Sequence, residues 1–178
     1  FTSAVAQETP VEAAAREAKS LAAAETANAR DSISTRLSAE LRMVLDAPDG
    51  ITTDLTALPL SHVEAPDGTF RLITWNIPYD EGGHRYEGML LVRNGKRQTL
   101  YELRDQTNGI GAPEKAELGP ERWYGALYYQ VVPVKKGGKT YYTLLGWKGY
   151  SRSETRKVVE VLTLRGGKPR FGAPIFGG

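Results

Sequence analysis

The spacing of apolar positions changes once along the chain. Before residue 50 it follows a helix, and after residue 58 it follows a strand. Thr9-Pro10-Val11-Glu12 reads as a helix start. Thr9 is placed to cap, Pro10 suits the first helical position, and Glu12 sits where an acid reaches back to the cap. The stretch that follows, EAAAREAKSLAAAETANA, is alanine-rich and helical by propensity. Its large apolar residues are few, Val11 and Leu21. A helix with so little to bury docks shallowly, lies against a partner or stays solvated. In the next segment, SISTRLSAELRMVLDA, Ile33, Leu37, Leu41, Val44 and Leu45 form one apolar stripe at helical spacing. Asp31 or Ser32 is placed to cap it, and Pro48 and Gly50 to end it. Two separate helices, or one rod bent near residues 28–32, both fit this pattern.

Beyond residue 58 the period is two. LSHVEA, PDG and TFRLITWNI read as strand, turn, strand. HRYEGMLLVR and KRQTLYEL form a second pair about Asn94-Gly95, a type I′ turn signal. RWYGALYYQVVPVK and TYYTLLGWK are joined by KGGK, and TRKVVEVLTL and RFGAPIF by RGGKP. Between the second and third pairs lies RDQTNGIGAPEKAELGPE, a long loop of Gly, Pro and charge. The expected fold is therefore α+β. One or two N-terminal helices (residues 10–50) precede a mostly antiparallel sheet of about eight strands in successive hairpins (residues 51–178). The stripe of the second helix is expected on one face of that sheet. An open sheet, a barrel and a sandwich all satisfy the pattern.

Composition sharpens this in three ways. The 178 residues include no cysteine, which excludes disulfides, thiolate metal sites and cysteine nucleophiles. No apolar run approaches the roughly 20 residues of a membrane-spanning helix. The net charge of +2 hides a split: residues 1–90 carry 7 Lys+Arg against 14 Asp+Glu, and residues 91–178 carry 16 against 7. Because the basic residues are scattered along strands, two halves of complementary charge packing together is the favoured reading, ahead of nucleic acid. At the start, Ala4-Val5-Ala6 before Gln7 has the small-x-small form of a signal-peptidase site, so residues 1–9 read as an export-signal tail or a disordered start.

Chemistry-bearing residues concentrate in WNIPYDEGGHRYEG, residues 75–88. Asp80, Glu81 and Glu87 offer carboxylates and His84 a base near neutral pH, the makings of a hydrolase acting on glycans or cell-wall material. Asp80-Glu81-Gly82-Gly83 is equally a solvated turn between strands, which is the favoured reading. A strand starting at His84 would send His84 and Glu87 to opposite faces. His62 and His84 lack metal-ligand spacing, so no metal and no cofactor is expected. KKGGKT at residues 135–140 lacks phosphate-loop spacing, and GYSRS around Ser151 is no nucleophile elbow. The second signal is aromatic. Tyr124, Tyr128, Tyr142 and Trp147, with Lys148 and Arg152 nearby, are the candidate binding residues. Exposed, they could stack sugars; buried, they would be cross-strand pairs, the favoured alternative.

Three segments, TWNIPYDEGGHRYEGMLL, WYGALYYQVVPVKKGGKTYYTLLGWKGYS and GKPRFGAPIF, resemble a family of uncharacterised, exported bacterial proteins with no assigned activity. The resemblance spans roughly residues 58–176. It implies export and a helix-plus-antiparallel-sheet architecture, and it supplies no site residues. The expected function is that of a non-enzymatic binding or accessory protein of the bacterial envelope, periplasmic or extracellular. Its expected partner is another envelope protein, with the alanine-rich helix as a docking arm. The alternatives are the hydrolase of residues 80–87 and a glycan-binding module on the aromatic hairpin 123–150. Nucleic acid is not expected as a ligand.

Overall fold

The computed structural model describes residues 7–173. The export-signal reading at Ala4-Val5-Ala6 lies outside the described residues. The chain divides into two compact units, residues 1–59 and 60–178. The division falls later than the helix end because the turns after the second helix, which carry buried Leu55 and Leu58, belong to the first unit.

The first unit is a pair of helices. Helix α1 (Pro10–Ala23) begins as its sequence predicts, with Pro10 in its first turn and a capping box between Thr9 and Glu12. Such a cap contributes about 1 kcal/mol. α1 buries a small-residue face of Ala13, Ala14, Ala15, Ala18 and Leu21. Helix α2 (Ala27–Asp46) starts earlier than Asp31 or Ser32. Thr26 is the cap, accepting from the Ala29 amide at 3.2 Å, so the break between helices is confined to residues 24–26. Four of the five stripe residues, Leu37, Leu41, Val44 and Leu45, are buried, and Ile33 is half-buried. Buried Glu17 of α1 is held by Arg16 at 2.5 Å and by Arg36 of α2 at 3.0 Å. A carboxylate out of water needs such partners. No helix among the described residues is long and apolar enough to cross a membrane.

Among its described residues the second unit holds eight strands in two four-stranded antiparallel sheets, each a meander. The first sheet is β1 (Ser61–Glu64), β2 (Phe70–Pro78), β3 (His84–Asn94) and β4 (Arg97–Arg104). The second is β5 (Leu127–Lys136), β6 (Lys139–Gly149), β7 (Thr155–Arg165) and β8 (Lys168–Phe171). All four predicted hairpins form, and the inner faces of both sheets feed one core. Phe70, Leu72, Leu90 and Val92 come from the first sheet, and Tyr142, Leu144, Leu162 and Phe171 from the second.

Two local details depart from expectation. The β3–β4 turn is Gly95-Lys96, since Asn94 pairs with Arg97, and only Gly95 has positive φ. A type I′ turn needs positive φ at both central residues, so this is the pattern of type II′. The strand expected from Arg122 begins only at Leu127. Gly125 at φ +72° breaks the extended run, and a register shift between Tyr128 and Gln130 then turns Tyr129 outward. Trp123 and Tyr128, assigned opposite faces by simple alternation, are therefore both in the core.

Candidate functional site

Three features of the second unit carry chemistry: a buried polar array, a polar cleft, and the outer face of the second sheet. The array lies on the inner face of the second sheet, where alternation along β6 and β7 places Lys148 and Glu160 in phase with core residues. Lys148 is 2% exposed. Its Nζ donates to Tyr124 O and Gly125 O, each at 2.6 Å, and to Thr107 Oγ1 at 2.8 Å. It also sits 4.4 Å from the ring centre of Tyr86 and 4.6 Å from that of Tyr124. Burial pushes its pKa down to about 8, against the opposing pull of Asp105 and Glu160.

Asp105 holds the other side of this arrangement. Its carboxylate accepts from the Tyr86 amide at 3.0 Å, from the Thr107 amide at 2.9 Å, and from the Thr107 hydroxyl. Gly125 is required here, because a Cβ on it would lie 2.7 Å from the Asp105 carboxyl carbon. Deeper in, Trp123 Nε1 donates to the Tyr128 hydroxyl at 2.9 Å, and that hydroxyl donates to Glu160. Burial raises Glu160 to about 7, with the Tyr128 hydroxyl and Lys148 pulling the other way. Every member is satisfied by hydrogen bonds, which is the form a buried polar network takes when it fixes a structure.

The polar cleft, of about 490 Å³, opens between the β2–β3 turn, the loop after β4 and the end of β6. Glu81, His84, Asp105, Asn108 and Tyr150 are among its lining residues. Of the four carboxylate and histidine candidates it gathers Glu81 and His84. The His84 ring lies edge-on to Trp147, centres 5.8 Å apart, with Nδ1 3.3 Å from Gly149 O. Glu87 points to the opposite face of β3, as alternation predicts, and pairs with Arg85 at 3.0 Å. Asp80 is exposed, and its backbone carbonyl accepts from Arg152. The four therefore do not assemble as one group. No cluster of three or more metal-capable side chains occurs among the described residues.

The aromatic candidates divide in the same way. Tyr128 is fully buried. Tyr142 is 4% exposed, edge-on to Phe70 at 5.0 Å, with its hydroxyl on Asp67 at 2.6 Å. Of the rings a sugar-stacking hairpin would expose, Tyr128 and Tyr142 are buried, and Tyr124 and Trp147 are half-buried. Arg152 clamps the β2–β3 turn through the carbonyls of Asp80 and Glu81, both at 2.9 Å.

Of the outer face of the second sheet, sequence reasoning named Trp147 and missed the rest. Register places Val132, Val134, Tyr141, Thr143, Leu145, Trp147, Val159 and Val161 there. Val159 is 59% exposed, Val134 40% and Val132 39%, and the bulge adds Tyr129 at 54%. Around this apolar centre the same alternation sets Lys136, Lys139, Lys157, Arg165, Lys168 and Arg170. None of the outward positions of β5–β8 is an Asp or Glu. Loop carboxylates approach this face: Glu117 pairs with Arg165 at 2.9 Å, and Glu114 lines a recess with Lys157 and Val159. Cations that look scattered along the sequence are collected by strand parity onto one face, a pattern the reading of two complementary halves did not anticipate. Compared with known proteins, the chain matches no family model, no curated protein and no solved structure.

Proposed function

We propose that the chain is a non-enzymatic binding protein, and that the outer face of its second sheet is the working surface. The observation that carries this is the group of exposed apolar side chains, Tyr129, Val132, Val134 and Val159, on an outward face with a basic rim. Exposed apolar groups in one patch favour association. A rim of one charge sign selects a partner of the opposite sign and speeds encounter. The partner is accordingly an acidic protein surface with an apolar centre. The bacterial envelope is the setting of this proposal. The support for it is the resemblance to exported proteins and the small-x-small sequence at Ala4-Val5-Ala6.

The test uses two baits, the wild-type chain and Val159→Glu, immobilised and exposed to an envelope fraction of the source cells. Val159 is exposed, so the variant should melt as the wild type does. A protein held stoichiometrically by the wild type, released by salt and absent from the variant, is the expected result. Equal capture by both baits, or capture of nucleic acid or lipid alone, overturns the proposal.

A further inference from the structure

We infer that the polar cleft of the second unit is a separate binding site for a neutral, hydroxyl-rich ligand, a short saccharide segment. The walls are built before any ligand arrives. In the β2–β3 turn the Gly82 amide donates to Tyr79 O and the Tyr79 amide to Gly83 O, both at 3.1 Å. Arg152 ties the turn from outside through Asp80 O and Glu81 O. The opposite wall is fixed by Asp105 on Thr107, by the Gln106 amide on Trp123 O at 2.8 Å, and by Arg122 on Gly109 O at 2.8 Å. Walls held in this way lower the ordering cost of binding.

The lining decides the ligand chemistry by what is already engaged. Lys148 has given its three donors to Thr107, Tyr124 and Gly125. Arg85 is engaged by Glu87. The cations that line the cleft are thus committed elsewhere, and an anionic ligand has no ready counter-charge. With Arg85 paired to Glu87, Glu81 and Asp105 face Lys148 alone, so the lining offers no excess positive charge to an anion. Asp105 already accepts three hydrogen bonds from Tyr86 and Thr107. The exposed polar groups that remain are the Glu81 carboxylate and the Gln106 and Asn108 amides. Together they offer acceptors and donors side by side, which matches hydroxyls, since a hydroxyl both donates and accepts. At the rim stand Tyr79, 42% exposed, and Tyr150, 45% exposed, the latter with the Arg156 guanidinium 3.5 Å from its ring centre on one face. The Tyr79 ring and the other face of Tyr150 suit the flat C–H face of a sugar. The volume of about 490 Å³ lies in the range of small-molecule sites.

The test is an amide-resolved NMR titration of the whole chain with maltohexaose, cellohexaose and chitohexaose in turn. At least one should give saturable shifts confined to residues 79–85, 105–109 and 148–150. Tyr150→Ala and Asn108→Ala, both at exposed positions, should each weaken that binding about tenfold or more. Val159→Glu should leave it unchanged, which separates this site from the sheet face proposed above. Absence of saturable shifts with all three sugars overturns the inference, as does binding that neither cleft variant weakens.

Discussion

The two sheets of the second unit reverse each other's polarity. In the first sheet, Ile73, Trp75, Ile77, Met89 and Leu91 lie on the face away from the shared core, and all are buried. In the second sheet the face toward the core holds Lys148 and Glu160, while the outward face buries Thr143, Val161 and Thr163 but leaves Val132, Val134 and Val159 in solvent. The period-two pattern of the two is alike, so alternation does not separate a sheet covered on both sides from one with an apolar face left over. The difference teaches where to look for function. Charges kept inside at a desolvation cost fix the architecture, and apolar groups kept outside at a solvation cost are available to a partner.

The sharpest way to break this comparison is Lys148→Met. If the lysine pins the loop after β4 to the second sheet, its loss orphans three oxygens and destabilises by about 3–5 kcal/mol, read from urea unfolding. A loss below about 1 kcal/mol would show that the array contributes little to stability. Next is a matched pair, one residue from each outer face. Ile73→Ala should cost about 2–5 kcal/mol as a core truncation. Val159→Ala should stay within about 0.5 kcal/mol. Equal costs would contradict the asymmetry.

Glu160→Gln tests the second buried ionisable group through pH. Its folded pKa of about 7 is raised above the ordinary 4.5. The group therefore contributes stability in full below pH 4.5 and loses that contribution as pH rises through 7. Relative to wild type, Glu160→Gln should gain on the order of 3 kcal/mol between pH 4.5 and 8. Parallel pH profiles for the two proteins would show that Glu160 is not held in its neutral form. The smallest effect on stability, and the largest on association, belongs to Val134→Glu: an unfolding midpoint unchanged within error, and loss of the partner that the wild type retains.

Much of the fold was legible because its signals are local. Thr9, Pro10 and Glu12 cap α1 as their spacing requires, and each glycine-bearing turn from PDG to RGGKP joins the strands beside it. The β5 faces were not legible, because Gly125 and the bulge at Tyr129 shift the parity on which face assignment depends. Of the site residues, Lys148 drew notice beside the aromatics, but its burial and three acceptors arise from a loop more than twenty residues away in sequence. Glu160 left a readable trace, a carboxylate at a core-phase position in RKVVEVLTL. Asp105-Gln106-Thr107 left another, the Asp-x-Thr form of a side-chain-closed turn. The basic rim left a trace only in Lys157, near the aromatics in GWKGYSRSETRK, since its members come from four strands and meet only in the folded sheet.

The most direct test of the account is hydroxyl-radical footprinting of the wild-type chain, alone and with a detergent-solubilised envelope fraction of the source cells. Alone, Tyr129, Val134 and Val159 should label strongly and Ile73 and Trp75 weakly. With the fraction, protection should fall on Tyr129, Val134, Trp147 and Val159. Unchanged labelling of that face, with protection elsewhere or nowhere, would contradict the claim that the second sheet is the working surface.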